Sequence, residues 1–183
     1  MTRYIEGYAS VWALDLGGDL IEPGAYKRTL QHWSRRKTSK PIRLVDTHDY
    51  SLIKRVVGQM VDAREDKIGL WTRWELLEND PDADAAWNRV VGGAITGMSI
   101  GYVAVRKRAP TRAEAERGVR RVLQEIALDE VSLVQQPMNE GALITRVESE
   151  GKQRALLVER RAAARQDAAL QRAREVLARR RSA

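Results

Sequence analysis

Residues 79–105 constrain this chain more than any other stretch, because they fix the order of two elements around one serine. Asp80 suits a helix N-cap and Pro81 the first helical position, while Asp82 and Asp84 complement the positive end of the helix dipole. Gly92-Gly93 ends that helix. Gly97-Met98-Ser99-Ile100-Gly101 follows and leads into Ile100-Gly101-Tyr102-Val103-Ala104-Val105, whose β-branched and aromatic residues predict a strand. Ser99 thus stands where a helix hands over to a strand. Its G-x-S-x-G spacing is one that exposes nucleophiles. The nucleophile elbow of an α/β-hydrolase, however, needs the strand first, the helix second and the histidine last. Here the elements are reversed, and both histidines, His32 and His48, precede the serine. The order argues against that fold.

The remaining pattern is mainly strands. Residues 5–12, 41–48, 56–63 and 68–75 read as strands, and Arg64-Glu65-Asp66-Lys67 as a turn between the last two. Pro23-Gly24-Ala25-Tyr26 leads into a short helix ending near Trp33. Residues 106–121 are polar and read as a long excursion, in which Thr111-Arg112-Ala113-Glu114 can start one helical turn. Val122 to Val134 is the longest strand candidate, and residues 141–147 form a last short one. Six or seven strands with one helix before Ser99 and one near residue 28 give an α+β domain. Its sheet is expected to be curved or barrel-like, mostly antiparallel and flanked by helices.

Composition removes several chemistries. The 183 residues contain no cysteine, which excludes disulfides, thiolate metal sites and a cysteine nucleophile, and fits a reducing compartment. With two histidines, a metal site would need carboxylate help; Asp46, His48 and Asp49 are close in sequence, but alternate strand residues point to opposite faces. The reading is therefore no metal and no cofactor. No apolar run approaches 18 residues, and the N-terminus lacks the apolar core of a signal peptide, so neither a membrane helix nor a leader is expected.

The net charge of +7 is concentrated in residues 148–183, which carry 10 Lys/Arg against 5 Asp/Glu. From Lys152 to Arg181 this tail has no Gly or Pro, and Leu156, Ala163, Leu170 and Leu177 recur every seven residues. That predicts a helix with a narrow apolar stripe, which is either a solvated helix of mixed charge or one that docks on an acidic surface or on nucleic acid.

A serine becomes nucleophilic when a base lies in hydrogen-bond reach and a third group orients that base. His48, at the end of an apolar strand candidate, is either that base or a hydrogen-bonded structural histidine; His32 sits in a polar helix and reads as surface. Glu130 lies inside the apolar run Ile126 to Val134 and, by alternation, shares a face with Ile126, Leu128 and Ser132. An ionised carboxylate there needs a partner, unless the strand is an edge with Glu130 in water. Glu125 and Asp129 fall on the opposite face, where solvent suits them.

Four blocks, in order, give the chain a family resemblance. They are Gly7-Tyr8-Ala9-Ser10-Val11-Trp12 with Gly17-Gly18-Asp19 and Glu22-Pro23-Gly24-Ala25-Tyr26; Thr47-His48-Asp49 with Val57-Gly58 and Gly69-Leu70-Trp71; Gly97-Met98-Ser99-Ile100-Gly101-Tyr102; and Glu125-Ile126, Leu128 to Val134 and Pro137-Met138-Asn139. Together they span about residues 4–147, and the chain resembles the prohead (capsid-maturation) serine proteases of tailed phages, relatives of the herpesvirus assembly proteases. The resemblance implies a triad of Ser99 as nucleophile, His48 as general base and Glu130 as orienting acid. It implies cleavage of scaffold or major capsid protein inside an assembling procapsid in the host cytoplasm, with a homo-oligomer such as a dimer as a further expectation. Residues 1–147 would be the protease domain, and residues 148–183 a targeting or self-cleaved tail. Two rivals stay open. One is a non-catalytic assembly module of the same fold. The other is a nucleic-acid-binding protein working through Arg160, Arg161, Arg165 and Arg179-Arg180-Arg181.

Overall fold

A computed structural model describes residues 2–35, 41–46 and 56–149. The described residues form eight strands and three helices: β1 (Arg3–Val11), β2 (Asp19–Ile21), α1 (Lys27–Arg35), β3 (Arg43–Val45), β4 (Val56–Glu65), β5 (Gly69–Leu76), α2 (Pro81–Val91), β6 (Gly97–Arg108), α3 (Arg112–Glu116), β7 (Arg121–Val134) and β8 (Ile144–Ser149). Of the basic tail, residues 150–183 lie outside the described residues, whereas Glu148 and Ser149 belong to β8.

Local chemistry explains the helices. The Asp80 carboxylate accepts the backbone N–H of Ala83 at 2.8 Å, Pro81 occupies the first turn and Gly92 caps the C-terminus, as the sequence predicts. α2 then buries Ala83, Ala86 and Val90 against the sheet. Thr111 and Glu114 close the predicted capping box at α3, each side chain bonding the other's backbone N–H.

All eight strands belong to one sheet. β3–β4–β5–β1–β8 run antiparallel in sequence of pairing, and β3 joins β7 in parallel. β6 covers one edge of β7 from Val122 to Val134, antiparallel. β2 and β3 must therefore share the other edge, β2 opposite Arg121 to Leu123 and β3 opposite Glu130 to Ser132. The start of α1 fills the gap between them: Ile126 N–H donates to Ala25 O, and Leu128 N–H to Thr29 Oγ1. The end strands β6 and β8 approach at their starts through the Gly97–Leu143 bridge, so the sheet curls without zipping shut. The concave side holds the core, with Trp74, Tyr26, Leu44, Leu70, Met98 and Leu123 fully buried.

Two features differ from the sequence expectation. β2 is not among the strands the sequence predicts; three residues are too short to show a period, and their partners lie 102 residues downstream. The polar stretch 106–121 is less of an excursion than expected, because β6 continues to Arg108 and β7 begins at Arg121, making one long hairpin tipped by α3.

Candidate active site

β6 alternates cleanly. Met98, Ile100, Tyr102 and Ala104 pack on the core, which turns Ser99, Gly101 and Val103 to the opposite face. Ser99 lies directly across from Ser132, and Gly101 directly across from Glu130. Ser99, Ser132 and Glu130 therefore share the outward face of a two-strand ladder.

Glu130 does not share a face with Ile126 and Leu128, contrary to simple alternation. The register slips between Gly101–Glu130 and Tyr102–Leu128, leaving Asp129 as the extra residue of a β-bulge. Ile126, Leu128, Val131 and Leu133 all enter the core, while Glu130 and Ser132 point the other way. The bulge aims the carboxylate at the Ser99 side of the sheet and leaves Asp129 exposed.

Glu130 is nonetheless buried, 3% exposed, and Ser132 fully so. Ser132 Oγ donates to Glu130 Oε2 at 2.8 Å, which meets part of the cost of taking a carboxylate out of water. Ser132 has no motif to announce it; its place opposite Ser99 is visible only once the register is known. The glycines of the motif gain a concrete role from the same register. A Cβ on Gly101 would stand 2.2 Å from Glu130 Oε1, so the carboxylate lies over the bare backbone of its cross-strand neighbour. A Cβ on Gly97 would meet the Pro137 ring at 2.7 Å.

β3 is the third strand in the row, since Val45 sits opposite Ser132 and Arg43 opposite Glu130. His48, with Thr47 and Asp49, lies outside the described residues. His32 is exposed on α1, as expected for a surface residue. Glu125 reaches Arg28 on α1 at 3.2 Å.

A cavity of about 250 Å³ borders Ser99, walled by Ala9, Ser10, Ile21, Met98, Ile100 and Met138, with Asp15, Asp19, Tyr102 and Asn139 supplying polar groups. Tyr102 donates its hydroxyl to Asp19 Oδ2 at 2.9 Å, and Arg121 Nε donates to Asp19 Oδ1 at 2.9 Å. The Arg121 contact holds the Asp19 carboxyl below its ordinary range. Burial pushes Asp15 up, and burial together with Asp19 pushes the Tyr102 phenol up to about 12. Among the described residues no group of His, Asp and Glu is placed to hold a metal, and no helix is long and apolar enough to cross a membrane.

A serine paired across strands with the neighbour of a buried carboxylate narrows the comparison with known proteins. Residues 1–155 match the family model of the caudovirus prohead serine protease. The chain belongs to that family. It is 30% identical over 145 residues to the prohead protease of Enterobacteria phage HK97, covering 79% of this chain and 60% of that protein. The chain thus spans about three fifths of the length of this relative. Among solved structures, the fold is similar to the bacteriophage T4 capsid assembly protease, with a TM-score of 0.55 and 15% identity over 73% of this chain and 82% of that one. It is also similar to KSHV protease bound to a hexapeptide phosphonate inhibitor, with a TM-score of 0.53 and 13% identity over 82% of this chain and 66% of that one. At these identities the likeness shows the fold, which matches the expected curved, mostly antiparallel α+β sheet.

Proposed function

We propose that this prohead-protease family member is a serine endopeptidase that cleaves scaffold or major capsid protein in an assembling procapsid, with Ser99, His48 and Glu130 as its triad. The observation that carries the reading is the diagonal placement of Ser99 and the buried Glu130 on one face of β6–β7. Diagonal cross-strand neighbours lie about 7–8 Å apart. That is too far for a direct hydrogen bond, and it is the gap an imidazole fills with one nitrogen toward each partner.

His48 suits the bridging role by connectivity. It follows Val45 by three residues, and Val45 is opposite Ser132, which is opposite Ser99. Three residues span at most about 11 Å, so the chain ties His48 to this end of the row. In the proposed reaction Ser99 Oγ attacks a peptide carbonyl while His48 takes its proton. His48 then protonates the leaving amine, and the acyl group remains on Ser99. Water attacks the ester with its proton going to His48, and the proton returns to Ser99 as the acid product leaves. Glu130, fixed by Ser132, holds the imidazole tautomer and stabilises its charged form.

An extended peptide fits this site. Among the described residues β6 pairs along one edge only, apart from the bridge at Gly97, and an open edge beside a nucleophile offers main-chain hydrogen bonds to a substrate strand. Residues 148–183 are proposed as a tail that targets the protease to acidic scaffold or is removed by self-cleavage. Activity in the host cytoplasm, inside the procapsid, is part of the same reading.

The test is co-expression of the chain, wild type or Ser99→Ala, with its procapsid proteins, read by gel and mass spectrometry. Wild type should process them and Ser99→Ala should not. Undiminished processing by Ser99→Ala contradicts the triad. Loss of the tail in wild type alone identifies it as self-cleaved, and an intact tail during active processing leaves targeting.

A further inference from the structure

The outward face of β6 continues past the Ser99 cluster. Val103 lies on the same face as Ser99 and Gly101 and is 65% exposed, and Val105 is 53% exposed. Ala127, across from Val103, is exposed as well. These three side chains line a groove of about 590 Å³ between the β6–β7 ladder and α1, with the Arg28–Glu125 pair at its rim. Single exposed apolar residues are ordinary, but adjacent ones with a polar rim, continuous with a reactive face, mark a contact surface.

We propose that Val103 and Val105 form an apolar subsite that takes an apolar side chain of the peptide substrate about four residues from the bond Ser99 attacks. The inference rests on Ser99 being the nucleophile. Strand geometry sets the spacing: at about 3.3 Å per residue, Val103 lies about 13 Å along β6 from Ser99, and an extended peptide has the same rise. The size of the patch selects the occupant. Two valines and an alanine match one or two substrate side chains, whereas a stable interface between copies buries roughly 800 Å² on each partner. Arg28 on one side and Glu125 and Asp129 on the other give the groove both signs of charge, so it does not select a strongly basic or acidic partner.

The full-length chain is incubated with a randomised peptide library, and cleavage sites are read by mass spectrometry. Wild type should enrich Leu, Ile, Val or Met about four residues from the cleaved bond, on one side. The Val103→Asp/Val105→Asp variant should lose that enrichment. It should also cleave such peptides with kcat/KM reduced about tenfold, through KM, while Ser99 keeps its wild-type rate of labelling by a fluorophosphonate. The Val103→Ser/Val105→Ser pair repeats the readout without added charge if the aspartates disturb folding. An unenriched wild-type profile, or a variant that keeps the enrichment, overturns the subsite alone. So does a variant that changes only the mass seen in sedimentation, which would make the patch a contact between copies. Cleavage that survives Ser99→Ala, or a wild type that cleaves nothing in the library, removes the nucleophile reading and the subsite with it.

Discussion

At the Gly97 end of the β6–β7 pair a single carboxylate, Glu130, is buried at 3% exposure over a bare glycine, with Ser132 as a hydrogen-bond donor. At the other end of the same two strands, seven Arg/Lys and two Glu crowd residues 106–121, and charge is handled at the surface. Arg108 there bonds Glu22 and Glu114 together, and Arg121 bonds Asp19. The surface network ties the hairpin tip to β2, but solvent screens exposed pairs of this kind and each adds little to stability. A buried charge stripped of its partner costs far more, about 3–5 kcal/mol. One strand pair thus carries both a rigid, high-stakes site and a tolerant, charged extension. A lone charge in an apolar run and a crowd of charges in a polar stretch thus have opposite consequences in the fold.

Glu130→Gln should give the largest effect that separates the two ends. It keeps the shape of the side chain and its bond to Ser132, but removes the charge that would orient His48. Cleavage should fall by about 10^4-fold, the scale for an orienting acid in a serine triad. Thermal unfolding checks that the fold survives, and near-wild-type turnover would make Glu130 structural. Gly101→Ala should come next. Its methyl meets the Glu130 carboxylate in a packed face, an overpacking that costs about 1–3 kcal/mol in denaturant titrations. Turnover should fall further than the stability loss explains, because the carboxylate is displaced. A fully active Gly101→Ala would show that Glu130 tolerates the shift.

Glu114→Gln at the hairpin tip should have the smallest effect, and its pH dependence carries the information. Arg108 holds the Glu114 carboxyl down to about 2, from an ordinary value of 4.5. A carboxyl depressed on folding stabilises the protein above its ordinary value, and that stabilisation fades as the pH falls toward 2. Glu114→Gln should therefore lower Tm slightly at pH 7, and the difference from wild type should vanish near pH 2. A gap that stays constant with pH would mean that packing rather than charge holds the tip. Cleavage at neutral pH should be unchanged.

These contrasts explain what was legible in the sequence. α2 and α3 were readable because their caps are local: Asp80, Pro81 and Thr111 act within a few residues of themselves. Ser99 and Glu130 stood out because a polar residue in an apolar run demands a reason. The face of Glu130 was misread because alternation cannot detect the extra residue at Asp129, which exists only in the register with β6. The function of Gly101 was hidden for the same reason, since the group it accommodates is 29 residues downstream. The hairpin looked like a loose excursion because Glu22 and Asp19, which anchor it, lie about a hundred residues upstream of Gln124 and Arg121. β2 gave no signal, being stabilised by a parallel neighbour and not by any pattern of its own.

The most direct measurement is the position of a fluorophosphonate adduct on a preparation that is actively cleaving its substrates, mapped by peptide mass spectrometry. One adduct is expected, on Ser99, formed in wild type and lost in both His48→Ala and Glu130→Ala. An adduct on another serine, or a cleaving preparation in which Ser99 stays unmodified while activity is blocked, would contradict it.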